Sequence, residues 1–101
     1  MIYHVTTAAD WAEAQAAGAY TLSTRGVTLE QEGYVHCSTE EQWPVVRERY
    51  YADLDHLVLL VVDPDRLTSP VVVEQLEGAD AAYPHVYGPI DLAAVVDVRT
   101  L

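Results

Sequence analysis

Apolar and polar positions alternate along this chain at two periods, and each change of period marks an element. Ile2-Tyr3-His4-Val5 reads as a first strand, with Ile2 and His4 on one face and Tyr3 and Val5 on the other. Thr6 or Thr7 then caps a helix: Asp10 stands three residues after Thr7, Ala8 to Ala17 are strong helix formers around Trp11, and Gly18 supplies the stop. The pattern weakens from Ala19 to Glu32, which holds a short strand at Ala19 to Leu22, a loop at Ser23 to Gly26 and one helical turn before Gly33. Loops of that length in small domains often carry function, so Arg25 is a candidate to reach over a cleft.

Ten residues, Glu32 to Glu41, pack a reversal at Gly33, a strand at Tyr34 to Cys37 and a helix start. Strand alternation sends Val35 and Cys37 to an apolar face and Tyr34, His36 and Ser38 to a chemical one. Ser38 with Glu41, and Thr39 with Gln42, have capping-box spacing. A second helix is therefore expected over residues 39 to 53, with Trp43, Val46, Tyr50 and Leu54 on its buried stripe and Pro44 in a distorted first turn. A histidine at a strand end beside the free N–H groups of a helix start suits an anionic ligand. The plainer alternative for His36 is a half-exposed strand residue.

Leu57 to Val62 is an unbroken apolar run and reads as a central strand buried on both faces. Turn residues follow at Asp63 to Leu67, then a strand over residues 71 to 76 in which Val71 and Val73 alternate with Val72 and Glu74. After an acidic loop at Glu77 to Ala82 comes Tyr83-Pro84-His85-Val86-Tyr87-Gly88-Pro89, read as a stiff segment bounded by prolines. One helical turn at Asp91 to Ala94 leads into a closing strand, Val95 to Arg99, with Val96 and Val98 inward and Asp97 and Arg99 outward. The strands cluster after the helices, which points to a single α+β domain over residues 1–101: a small mixed or antiparallel sheet with two helices near the N-terminal end.

Half the residues are hydrophobic, yet no run approaches the roughly 18 apolar residues of a membrane span, and the first residues lack the pattern of a signal peptide. A cytoplasmic protein is expected. Cys37, the single cysteine, belongs to the apolar face and reads as structural. The formal net charge is −11, and the five basic residues are all arginine, so neither nucleic acid nor an anionic membrane is an expected partner. The absence of lysine removes Schiff-base chemistry.

The chain holds no dinucleotide-binding glycine motif, Walker loop, H-E-x-x-H or C-x-x-C. His4, His36 and His85, with Glu74 and Tyr87, are the residues left to carry chemistry. Three histidines and a carboxylate can ligate zinc if the fold gathers them. Alternatively, histidines position a hydroxylated or phosphorylated ligand while Glu74 stabilises positive charge as a bond to a sugar carbon breaks. The plainer reading of Glu74 is an outward-facing strand residue.

Ile2-Tyr3-His4-Val5-Thr6-Thr7, Gly33-Tyr34-Val35-His36-Cys37-Ser38-Thr39, the Leu57 to Asp63 strand running into Pro64, and Tyr83 to Pro89 resemble, in order and spacing, the small bacterial domain-of-unknown-function 952 family. That family is grouped by remote similarity with the ADP-ribosyltransferase-like fold. The resemblance implies His4 against an NAD ribose, His36 near the nicotinamide and Glu74 on the ribose hydroxyl, with His85 or Tyr87 as the alternative third residue. Thr6, Tyr34, Ser38, His85, Tyr87 and Arg25 are the implied ligand-binding residues. NAD enters as substrate, with no separate cofactor. The chain is short for a transferase that holds both a dinucleotide and an acceptor, and its acidity does not suit RNA or DNA as acceptor. A non-catalytic module binding a nucleotide-like ligand is the second expectation.

Overall fold

A computed structural model describes residues 1–101. Strand β1 (Ile2–Thr7) runs directly into helix α1 (Ala8–Ala17). The Thr7 hydroxyl accepts the Asp10 N–H at 3.1 Å, and Gly18, at φ +94°, closes the helix by donating to the Ala14 carbonyl. Strands β2 (Ala19–Tyr20), β3 (Leu22–Thr24) and β4 (Val27–Thr28) follow, and Thr28 with Gln31 forms a capping box on the single turn α2 (Leu29–Glu32). The rest is β5 (Val35–His36), α3 (Trp43–Tyr51), β6 (Leu57–Val62), β7 (Val71–Glu74), β8 (Tyr83–Val86), β9 (Ile90–Asp91) and β10 (Val95–Thr100). Two 3-10 turns, Pro64–Arg66 and Leu92–Ala94, join them. No helix is long and apolar enough to cross a membrane.

Every strand pairing is antiparallel. One sheet has the order β1-β6-β10 and another β5-β8-β7. All six residues of β6 are buried, as the apolar run predicts. Its Val58, Leu60 and Val62 face a core shared with Ile2, Ala14, Val35, Cys37 and Val86, so the second sheet lies across this core from the first. Leu57, Leu59 and Val61 face a smaller core with Tyr3, Val5 and Tyr51. A bridge between Tyr3 and Ser38 stitches β1 to the segment after β5.

Four expectations are corrected. The second helix begins at Trp43 and ends at Tyr51 rather than covering 39 to 53. Gln42 Oε1 takes the Thr39 N–H at 3.0 Å, closing a separate turn, and neither Ser38 nor Thr39 caps the helix. Tyr50 is exposed, and its neighbour Tyr51 is the buried aromatic. Within the stiff proline-bounded segment, Tyr83 to Val86 is a fully buried middle strand. Finally, Val96 and Val98 are 44% and 39% exposed. Val98 stands opposite the core residue Leu60, but β10 is the outer strand of its sheet, with a register shift at Val95/Asp97. Asp97 accepts the Val98 N–H at 2.9 Å, occupying a donor that an open edge would offer to another strand.

Candidate functional site

The β5-β8-β7 sheet turns one face to the core and the other to a cleft. Opposed residues share a face, and alternate residues along a strand return to it. His36 stands opposite His85, and Glu74 opposite Tyr83, which puts all four, with Tyr87, on the outer face. Val35, Cys37 and Val86 take the inner one. The division of apolar and chemical faces around residue 36 is the one the alternation predicts. Burial alone pushes the Cys37 thiol up to about 12, so it is an inert core residue.

On the outer face His85 Nδ1 lies 2.8 Å from Glu74 Oε2, and the Tyr87 hydroxyl donates to the same oxygen. The hydrogen bonds from Tyr87 and His85 hold the Glu74 carboxyl below the usual range. An ionised carboxylate is acceptor-only, so the His85 Nδ1–H donates to Glu74, and Nε2 is the ring nitrogen left for a ligand. Tyr34 stacks on the His85 ring at 3.9 Å between centroids, with its hydroxyl tied to Glu32 Oε1 at 2.7 Å. His36 lies against Tyr83 at 4.8 Å and His85 at 5.5 Å. Burial first, and the neighbouring His85 second, lower His36 to about 4.

These side chains line a cleft of about 250 Å³ whose far wall is α3, through Arg49 and Tyr50, and whose rim is the loop between β7 and β8. Arg49 Nη2 reaches Asp80 Oδ2 at 3.0 Å, Tyr83 donates to Asp80 Oδ1 at 3.1 Å, and Gln42 Nε2 donates to the Ala82 carbonyl at 2.7 Å. The Arg49 and Gln42 bonds tie the loop to α3 and the residue before it, and the Tyr83 bond ties it to β8.

The structure brings together His36, Glu74, Tyr34, His85 and Tyr87 among the sequence candidates. It does not bring in the others. His4 is buried, with Nδ1 2.7 Å from the His36 carbonyl and Nε2 2.7 Å from the Tyr20 hydroxyl. Burial lowers His4 to about 4, so the ring is neutral near pH 7. Proton counting then makes Nδ1–H the donor to His36 and Tyr20 the donor to Nε2, which leaves Thr6 Oγ1, 2.9 Å away, to donate to the Tyr20 oxygen. Thr6 and Ser38 are both buried. Arg25 holds Asp53 at 3.1 Å and the Tyr50 carbonyl at 3.1 Å, pinning the β3–β4 turn to the end of α3. No group of three or more His, Cys, Asp or Glu side chains is placed to hold a metal ion, which corrects the zinc reading: His4 is turned into the core.

Sequence reasoning missed Tyr83, Tyr50, Arg49 and Asp80. The period-two series Tyr83, His85, Tyr87 was the available signal for the first. Nothing local links Arg49 to Asp80.

The family model described as protein of unknown function, DUF952, matches residues 5–98. The chain is similar to protein CC0527 of Caulobacter crescentus: its crystal structure is 28% identical, with a TM-score of 0.84 over 99% of this chain and 84% of that one. The crystal structure of a double mutant of the same protein is 27% identical, with a TM-score of 0.84 and the same coverage. Its solution structure is 28% identical, with a TM-score of 0.79 over 99% of this chain and 83% of that one. No curated protein matches the chain.

Proposed function

The chain belongs to the DUF952 family, and from its cleft we propose an ADP-ribosyltransferase-like enzyme that breaks the bond between ribose C1′ and a cationic ring nitrogen, as in NAD or a smaller ribosyl compound. One observation carries the reading: a carboxylate that accepts hydrogen bonds from both His85 and Tyr87 beside an aromatic stack. Glu74 Oε2 holds the two donors, and its other oxygen is available to an oxocarbenium-like sugar. The bond's electron pair leaves on the ring nitrogen. Water or an acceptor hydroxyl forms the new C1′–O bond and passes its proton to His85 Nε2.

Composition and size support the same class. A cleft walled by tyrosine and histidine and rimmed by Glu74, Glu77 and Asp80 suits a cationic aromatic ring. At about 250 Å³ it lies just below the usual range of ligand sites and is too small for a whole dinucleotide. In this reading His4 does not touch the ribose. It holds β5, and thereby His36, through the His36 carbonyl.

Incubation with NAD and with nicotinamide riboside, followed by chromatography for free nicotinamide, tests the proposal. Release by the wild type, reduced about 100-fold or more in Glu74→Gln, is expected. A ligand-induced rise in melting temperature without release would identify a non-catalytic binding module instead. Absence of both release and a shift overturns the reading.

A further inference from the structure

Arg49 is the one arginine among the residues lining the cleft, and Asp80 holds it through a single contact, Nη2 to Oδ2 at 3.0 Å. A guanidinium carries five N–H donors in a planar fork, so most of them are left over by this pairing. Both partners are about half exposed, 44% for Arg49 and 56% for Asp80, and an ion pair of that kind adds little to stability. The Asp80 carboxylate is carried on the β7–β8 loop, beside the left-handed Gly78 at φ +87°, rather than on a strand. Its second oxygen already has another donor, Tyr83. Separation of the pair therefore leaves Asp80 partnered and exposes the guanidinium on the same cleft as His36 and His85.

We propose that Arg49 is a phosphate-binding residue of this cleft, occupied in the free protein by Asp80, and that the ligand carries a phosphomonoester that displaces the Asp80 carboxylate. A phosphate presents three acceptor oxygens and nearly two negative charges to the fork, against one oxygen from the aspartate. The net charge of −11 repels anions at long range, but that field is screened over about 8 Å at physiological salt while a direct contact is not. The cleft thus offers acidic and aromatic groups to a cationic ring and a guanidinium to a phosphate. This rests on the ribosyl reading above and narrows it to ribosyl 5′-phosphates.

Nicotinamide riboside and nicotinamide mononucleotide differ by one phosphate, and calorimetry on the full chain separates the two claims. The wild type is expected to bind the mononucleotide about tenfold more tightly. Arg49→Gln removes that preference, so that the two compounds bind alike, while Asp80→Asn widens it several-fold in favour of the mononucleotide. Equal affinities in the wild type and in Asp80→Asn overturn the phosphate proposal with the ribosyl reading intact. If neither compound binds, the ribosyl reading fails. Inorganic phosphate then decides, titrated against the Arg49 Nε–H signal, which Arg49→Gln identifies by its loss. A saturable shift, tighter in Asp80→Asn, supports the site, and no shift in either protein overturns it. Should one variant fail to fold, the other still reads the opposite side of the pair.

Discussion

His4 and His36 are joined by one hydrogen bond, ring nitrogen to backbone carbonyl, yet one belongs to the core and the other to the cleft. Their shared lowering to about 4 has a consequence for stability. An unfolded histidine titrates near 6.5, so between about pH 6.5 and pH 4 the unfolded chain binds more protons than the native one, and acidification favours unfolding. The stabilisation is complete above the unfolded value, falls as the pH drops, and is exhausted near pH 4. For the buried His4 alone the window amounts to about 3 kcal/mol. His4→Phe leaves the His36 carbonyl without its side-chain donor and the Tyr20 hydroxyl with Thr6 alone, costing about 1–3 kcal/mol near pH 7, but it removes one of the two titrations. Urea midpoints measured from pH 4 to 7 are expected to show a shallower pH slope in the variant, and parallel slopes would exclude a neutral buried His4. The sequence puts Ile2 and His4 on one face, but it points His4 to a ribose in the cleft, and the structure buries it instead. The partners that make a buried imidazole tolerable, Tyr20 and Thr6, were not legible in the sequence, because they meet only in the folded core.

Among the elements, those specified by adjacent residues were legible and those specified by distant ones were not. Helix α1 has its cap, its alanine run and its terminal glycine within twelve residues, and β6 announces itself by composition. Two substitutions separate local from tertiary stabilisation. Thr7→Ala removes one cap and is expected to cost about 1 kcal/mol. Leu60→Ala, in the middle of β6 and fully buried, is expected to cost about 2–5 kcal/mol and to expose a cavity in the core shared by both sheets. Chemical denaturation measures both, and a cap loss as large as the cavity loss would contradict this division. The two elements misread at the site had misleading local signals. Pro84 argues against a middle strand, but its carbonyl accepts the Cys37 N–H at 2.9 Å and it has no N–H to return, which is where pairing with β5 stops. The capping spacing at Thr39 and Gln42 is spent on a turn, and Gln42 donates its side-chain amide to Ala82 of the β7–β8 loop. Half of the candidate site could thus be read as one strand face around His36, while the wall from α3 and the β7–β8 loop depended on contacts over more than thirty residues.

At the scale of the whole molecule, sixteen acidic and five arginine side chains share a particle of radius of gyration 12.3 Å. Four of the arginines make exposed pairs, with Asp53, Asp80, Asp63 and Asp97. Salt acts on this arrangement in two opposed ways. It weakens the pairs, each of which contributes about 0–1 kcal/mol when exposed, and it screens the repulsion among the remaining carboxylates, which destabilises the compact state relative to an expanded chain. The uncompensated charge decides the balance, since at low ionic strength the screening length of about 30 Å spans the molecule and at 0.15 M it falls to about 8 Å. Raising sodium chloride from about 0.01 to 0.15 M at pH 7 is therefore expected to raise the melting temperature by several degrees, about 1 kcal/mol on the usual scale for a domain of this size. The same titration at pH 4, where many carboxylates are protonated and the arginines are not, is expected to flatten. A melting temperature that falls with salt at pH 7 would show that the surface pairs outweigh the repulsion. Such a fall would also remove the ground for treating the Arg49–Asp80 contact as one that a phosphate readily replaces.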